Sequence, residues 1–136
     1  MKRKVFVDTG YFLALLRKRD SLHEAAVKAS GKYDGPFVTT DLVLVEIANA
    51  LSLPSYRASA VSFLEKIRFD QNTTVVSFGP EGMSKAFTFY KDRPDKEWGL
   101  VDCFSFVTME ENKTRIALTF DEHFRQAGFE VPLLVL

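Results

Sequence analysis

Short apolar segments alternate along the chain with longer stretches that carry apolar residues at helical spacing. The short segments are rich in β-branched and aromatic residues, as buried strands are, and cover residues 5–7, 36–40, 73–78, 114–120 and 131–136. The longer stretches predict helices over residues 12–16, 19–35, 40–53, 55–70, 80–93, 100–112 and 121–129. This alternation predicts an α/β fold, a three-layer α/β/α sandwich with a central parallel β-sheet. Strands such as IAL and LLVL lack polar alternation, which agrees with burial on both faces.

Several helix boundaries carry their own signals. Ser21 is an expected cap of the second helix, and Thr40 or Asp41 is the expected cap of the third. Pro80 is expected in the first turn of the helix that follows the third strand. The chain has no internal repeat, low-complexity segment or long linker, so residues 1–136 are expected to form one domain.

Two acidic residues directly follow predicted strands. Asp8 follows VFV, and Asp121 follows IALTF. A helix cap would explain either residue, but a carboxylate in an apolar setting is costly unless it holds something positive. Ligands of open α/β sheets bind outside the carboxyl ends of the strands. Two strands that end in the same way therefore favour a binding site at this edge.

Two further acidic residues lie on predicted helices among apolar neighbours. Glu46 lies in LVLVEIANAL, a helix whose composition predicts burial on almost every side, and a salt bridge to a basic residue is the alternative explanation. Asp102 lies in GLVDCFSFVTM, near a helix start where the dipole alone would favour an acid. Four carboxylates in one crevice would need a cation. Ligands that are all oxygen favour Mg²⁺ or Mn²⁺ over Zn²⁺.

Composition narrows the class of protein. The chain has 136 residues, of which 46% are hydrophobic and 26% charged, which suits one globular domain. Eighteen basic residues balance eighteen acidic ones, so contact with nucleic acid or a membrane would need a local patch. The single cysteine, Cys103, excludes an internal disulfide and fits a cytoplasmic location. No apolar stretch approaches the roughly 20 residues that cross a bilayer. Asp8 interrupts the apolar N-terminal run, which we therefore interpret as mature protein rather than signal peptide.

This layout resembles the PIN-domain nuclease family, and especially the VapC-type toxins of bacterial toxin–antitoxin pairs. The matching residues are Asp8 in VFVDTGYFLALL, Glu46 in TTDLVLVEIANAL, Asp102 in DKEWGLVDCFSFVTM and Asp121 in ALTFDEHFRQAGF. The similarity spans essentially the whole chain. Its last two segments are the most specific, because they are long and keep their order of residues.

The resemblance implies a parallel sheet between helical layers and metal-dependent cleavage of RNA phosphodiester bonds. The four acids would be the catalytic residues and would hold Mg²⁺, or Mn²⁺, directly or through water. The resemblance also implies a small antitoxin partner and a homodimer. The alternative is a PIN-like module that binds RNA or protein without cutting it.

Other polar residues are candidates for contacts near the acids. Candidate hydrogen-bond partners of the carboxylates are Thr9, Thr119 and Ser105. His123 is interpreted as structural, since turn or helical geometry would point it away from Asp121. Arg93 and Lys96 are candidates for contacts with RNA phosphates, although a charged loop is often only solvated.

Two other α/β classes fit the sequence less well. A receiver-like signalling domain would need a phosphoacceptor aspartate after the third strand, and TTVVSFGPEG has none. A nucleotide-binding module would need a glycine-rich loop after the first strand. The segment VDTGYF has one glycine beside an acid that would repel phosphate.

Overall fold

Four short strands form a parallel sheet at the centre of the molecule. The computed structural model of the protein describes residues 3–134. The strands are β1 (Val5–Val7), β2 (Phe37–Thr40), β3 (Thr73–Val76) and β4 (Ile116–Leu118), and they lie in the order β3-β2-β1-β4. All three pairings are parallel. The chain therefore adds β2 and β3 on one side of β1 and β4 on the other. The strand order reverses between β1 and β4, which is where open α/β sheets bind their ligands.

Seven helices cover this sheet. They are α1 (Thr9–Leu16), α2 (His23–Ser30), α3 (Asp41–Ala50), α4 (Pro54–Phe69), α5 (Gly79–Asp92), α6 (Leu100–Glu111) and α7 (Glu122–Gln126). Helices α1 to α4 pack as one group and α5 to α7 as another. The predicted three-layer α/β/α architecture is confirmed. Within residues 3–134, no helix combines the length and the apolar character that crossing a bilayer requires.

Buried aromatic rings join the sheet to α6 and α7. The ring centroid of Phe6 in β1 lies 5.9 Å from that of Phe124 in α7. The Phe124 ring in turn lies 5.0 Å from the Phe106 ring of α6, and all three side chains are fully buried. Fully buried aromatic side chains of this size contribute much of a core's stability. This packing holds α6 and α7 against β1, and with them the acids that these segments carry.

Of the three helix starts for which the sequence predicted a local signal, two are confirmed. Thr40 precedes α3, and its side-chain oxygen accepts a hydrogen bond from the backbone N–H of Val43 at 3.1 Å. Pro80 lies in the first turn of α5. The cap predicted near Ser21 is wrong, because α2 begins only at His23 and has no side-chain cap.

The last predicted strand, residues 131–136, is wrong over its described part. Only Glu130 pairs with the edge strand β4, through a single parallel bridge to Ile116. The chain then turns, and the backbone N–H of Leu134 donates to the carbonyl of Val131 at 3.2 Å. Pro132 has no backbone N–H to donate to a strand ladder, which explains why the pairing stops here. Residues 135 and 136 lie outside the described residues.

Candidate active site

The four acids that stand out in the sequence line a single crevice. Asp8 follows β1 and Asp121 follows β4, whereas Glu46 belongs to α3 and Asp102 to the first turn of α6. The crevice has a volume of about 810 Å³ and lies at the carboxyl ends of β1 and β4. The reversal of strand order thus brings together side chains that are far apart along the chain.

Asp8 lies at the carboxyl end of β1, partly buried beside Thr119. Its Oδ2 accepts a hydrogen bond from the Thr119 hydroxyl at 2.7 Å. Burial raises the pKa of Asp8 to about 7, against the lowering effect of hydrogen bonds from Thr119 and the Thr9 backbone, and the charges of Asp102 and Asp121 raise it further. Asp8 occupies the N-cap position of α1, but its side chain makes no capping hydrogen bond. The helix-cap explanation of Asp8 therefore lacks its defining contact.

Glu46 accepts a hydrogen bond from the side chain at the start of α1. The Thr9 hydroxyl donates to Glu46 Oε1 at 2.6 Å. The prediction that α3 is buried on almost every side is wrong, because Val43 and Ile47 are buried while Val45 is 54% exposed. Only one face of α3 is buried, and Glu46 lies at the edge of that face, where it lines the crevice.

Asp102 and Asp121 are linked through His123. The imidazole Nδ1 lies 2.9 Å from Asp102 Oδ2 and 3.4 Å from Asp121 Oδ1. Nδ1–H is the donor to Asp102, because an ionised carboxylate can only accept. The backbone N–H of His123 also donates to Asp121 Oδ1 at 2.9 Å. The prediction that His123 points away from Asp121 is wrong, because Asp121 caps α7 and the cap turns the ring back toward the acids.

The acids around His123 also change its titration. Burial alone lowers the pKa of the imidazole. The hydrogen bond with Asp102 and the negative charges of Asp121, Asp102 and Glu97 outweigh burial and raise that pKa above its usual 6.5. His123 therefore takes up a proton more readily than a free histidine, and its positive charge would offset part of the repulsion in the crevice.

Three of the acids use one carboxylate oxygen for contacts within the protein and leave the other without such a contact. The engaged oxygens are Glu46 Oε1, Asp121 Oδ1 and Asp102 Oδ2, the last also accepting from the Gly99 backbone N–H at 3.1 Å. Their second oxygens have no hydrogen-bond partner among residues 3–134. These oxygens are suitable ligands for a small divalent cation.

The crevice offers ligand atoms of the kind that divalent cations bind. Within the described residues, no lysine or arginine forms an ion pair with any of the four acids, so the salt bridge considered for Glu46 is absent there. Single ligand atoms of Asp102, Asp121 and His123 all lie within 4.8 Å of one another. The donors are predominantly oxygen, which suits Mg²⁺ and Mn²⁺.

The remaining candidates fall into two groups. Thr9 and Thr119 line the crevice and hydrogen-bond the acids. The structure does not bring Ser105 to the crevice. Its side chain is fully buried in the core, and its hydroxyl has no hydrogen-bond partner within residues 3–134.

Arg93 and Lys96 lie at another groove, beside Trp98. Arg93 makes two hydrogen bonds to Asp95, at 3.1 and 3.2 Å, and its guanidinium lies 5.1 Å from the centre of the Trp98 ring. Lys96 lies 3.8 Å from the same carboxylate. Both cations are thus held by their own loop, and neither lines the acidic crevice.

Two polar residues of the crevice escaped the sequence analysis. Asn49 lies one turn after Glu46 on α3, and Glu122 directly follows Asp121. The helical spacing from Glu46 is a signal that would have found Asn49. Glu122 has a different contact, since its carboxylate pairs with Arg125 at 2.8 Å.

A family model described as the PIN domain matches residues 5–130 of the chain. The chain belongs to the PIN domain family. All four acids lie inside the matched segment. The family resemblance stated from the sequence is thereby confirmed.

Relatives of this PIN domain include a characterised nuclease. The chain is 26% identical over 125 residues to the 23S rRNA-specific endonuclease VapC20 of Mycobacterium tuberculosis, covering 92% of this chain and 95% of the relative. The crystal structure of that VapC20, described as a Sarcin-Ricin loop cleaving toxin, matches with a TM-score of 0.84 and 25% identity over 93% of this chain and 96% of the other.

Two more distant structures share the fold. VapBC2 from Rickettsia felis, bound to a DNA fragment from its promoter, matches with a TM-score of 0.64 at 12% identity. FitAcB from Neisseria gonorrhoeae matches with a TM-score of 0.67 at 15% identity. Each match covers 93% of this chain and 95% of the other.

Proposed function

We propose that this PIN domain is a metal-dependent endoribonuclease and the toxin of a toxin–antitoxin pair. The observation that carries the proposal is the convergence of four carboxylates in one crevice without a lysine or arginine partner among the described residues. The relative VapC20 is named an endonuclease and matches nearly the whole chain. RNA is therefore the proposed substrate, and the cytoplasm the proposed location.

Mg²⁺ or Mn²⁺ is the proposed cofactor, held by Asp8, Glu46, Asp102 and Asp121 as catalytic residues. When bound, such an ion lowers the pKa of a water molecule and stabilises negative charge on phosphate oxygens. The chain's own contribution is to hold the ligands in place. Hydroxyl donors orient Asp8 and Glu46, and His123 holds Asp102 beside Asp121.

Cleavage of purified 23S ribosomal RNA, with and without Mg²⁺ or Mn²⁺, tests this function. We expect cleavage that excess EDTA abolishes. The variants Asp8→Asn and Asp102→Asn should lose roughly a hundredfold or more in rate, because a catalytic metal supplies several kcal/mol of stabilisation. Asp92→Asn, at an exposed site on α5, is the matched control and should keep the wild-type rate. Cleavage that persists in EDTA, or Asp→Asn variants with wild-type rates, would contradict the proposal.

A small antitoxin and a second copy of this chain are the proposed protein partners. A ribonuclease that acts as a toxin needs an inhibitor in the cell that makes it, and the solved VapC20 relative is described as a toxin. We expect a small protein encoded next to this chain to co-purify with it. Light scattering at high micromolar concentration should give the mass of a dimer, and a monomer mass would contradict the homodimer.

A further inference from the structure

A cluster of positive charge follows α1. Arg17, Lys18 and Arg19 are consecutive, and they line one wall of a groove of about 540 Å³. The start of α4 forms the other wall with Ser55, Tyr56 and Ser59. We call this the basic groove. Its residues belong to none of the walls of the acidic crevice.

The cations of the basic groove have no acidic partners among the described residues, a property that they share with other exposed cations such as Lys28 and Lys32, so it is their position that sets them apart. Lys18 and Arg19 are exposed, and neither forms an ion pair or a side-chain hydrogen bond within residues 3–134. Arg17 is positioned by a neutral contact, since its Nη2 donates to the carbonyl oxygen of Ala50 at 3.2 Å. The one acid in the groove wall, Asp20, accepts the backbone N–H of Leu22 at 2.8 Å.

The basic groove lies next to the acidic crevice. Leu13 of α1 lines the crevice, and Arg17 follows four residues later, about 6 Å further along the same axis. On α3, Asn49 lines the crevice and the adjacent Ala50 contacts Arg17. The two grooves are therefore neighbours along both α1 and α3.

RNA binding poses an electrostatic problem that the basic groove would solve. Five carboxylates line the crevice, those of Asp8, Glu46, Asp102, Asp121 and Glu122, and they repel phosphate groups. The chain has no net charge to attract RNA from a distance. Attraction must come from local cations, and exposed, unpaired ones supply it best.

We propose that the basic groove is a second RNA site, in which Arg17, Lys18 and Arg19 bind phosphates beside the scissile bond. Tyr56, whose residue is 41% exposed, offers its ring as a stacking surface for a base of the same strand. This assignment rests on the proposed ribonuclease function and adds to it the position of the flanking nucleotides.

Binding of a fluorescein-labelled, random-sequence 12-nucleotide single-stranded RNA tests the site. Fluorescence anisotropy is measured with Mg²⁺ in an Asp102→Asn background, which prevents cleavage. Lys18→Ala/Arg19→Ala should bind this RNA roughly tenfold more weakly. The slope of log affinity against log salt concentration should become shallower by about 0.7 for each phosphate contact that is lost. Tyr56→Ala should lose about fivefold or more, whereas Tyr56→Phe should bind like the parent.

The control removes the same charge from another surface. Lys28 and Lys32 are exposed and line neither groove, so Lys28→Ala/Lys32→Ala should bind RNA nearly as the parent does. Equal losses in the two double variants would overturn the proposal, because net charge would then explain the effect. The proposal would also be overturned if Lys18→Ala/Arg19→Ala lost as much affinity for a poly-glutamate 12-mer as for RNA while Tyr56→Ala had no effect. The groove would then bind an acidic protein segment.

Cleavage assays separate this proposal from the ribonuclease function. If wild type cleaves RNA and Lys18→Ala/Arg19→Ala has the same KM, the function stands and the second site is refuted. A raised KM with unchanged kcat supports the site. If wild type cleaves no RNA while the double variant selectively loses RNA binding, the site stands and the nuclease function is refuted.

Discussion

At the scale of single residues, Asp8 is ionised only at a cost. It directly follows the buried strand β1, and burial of its carboxyl group raises its pKa to about 7. A residue that only capped α1 would accept a hydrogen bond from the backbone N–H of the second or third helical residue, and the Asp8 side chain makes no such bond. Helix capping therefore does not explain this carboxylate, whereas the proposed metal site would use it.

Replacing Asp8 with Asn should remove a pH dependence of stability in metal-free solution. Between about pH 4 and 7, folded wild type holds a proton on Asp8 that the unfolded chain releases, so its free energy of unfolding falls as pH rises and then levels off. This loss is on the order of 4 kcal/mol. Urea unfolding in EDTA at pH 5 and pH 8 measures it. The free energy of unfolding of Asp8→Asn minus that of wild type should be larger at pH 8 than at pH 5. For Asp92→Asn this difference should be the same at both pH values. Identical pH profiles for wild type and Asp8→Asn would contradict the buried charge.

His123 should control metal affinity through Asp102. Its Nδ1–H fixes one oxygen of that carboxylate, so His123→Ala should weaken Mn²⁺ binding roughly 10- to 100-fold. His123→Asn keeps a donor near the position of Nδ1 and should recover most of the affinity. Isothermal titration calorimetry of the metal-free protein with Mn²⁺ gives both values. Equal affinity in wild type and His123→Ala would refute the positioning role.

At the scale of elements, the sequence predicted those strands and helices well whose formation depends on a local pattern of residues. Four of the five predicted strand segments and the cap at Thr40 depend on neighbours in sequence, and these are seen in the structure. The orientation of His123 depends on Asp102, which belongs to another helix, so no local pattern could reveal it. The described part of the last predicted strand, residues 131–134, does not pair with β4, because Pro132 has no backbone N–H to donate to it.

The cap of α3 should contribute measurably to stability, because this helix carries Glu46 into the crevice. Thr40 is fully buried, and its hydroxyl satisfies the backbone N–H of Val43. Thr40→Ala should lower the free energy of unfolding by about 1 kcal/mol, and Thr40→Ser should keep most of it. Urea unfolding of the three proteins at one pH measures the difference. A Thr40→Ser variant as unstable as Thr40→Ala would point to lost methyl packing instead of a lost cap.

At the scale of the whole molecule, the crevice is built from distant parts of the chain. Its acids come from segments after β1 and β4 and from α3 and α6, and one continuous core joins these elements. A cation bound there would bridge both helical layers across the sheet. Its binding energy should therefore stabilise the entire described fold and not one helix group alone.

Metal titration of the intact chain should consequently move a single melting transition. At a Mg²⁺ concentration a hundred times the dissociation constant, the stabilisation should be about 2.7 kcal/mol. For a chain of this length, that raises the melting temperature by roughly 10 °C. Calorimetry with EDTA and with Mg²⁺ provides the measurement, and Asp8→Asn should show a much smaller rise. Two transitions, of which Mg²⁺ moves only one, would contradict both the single domain proposed for residues 1–136 and the shared metal site.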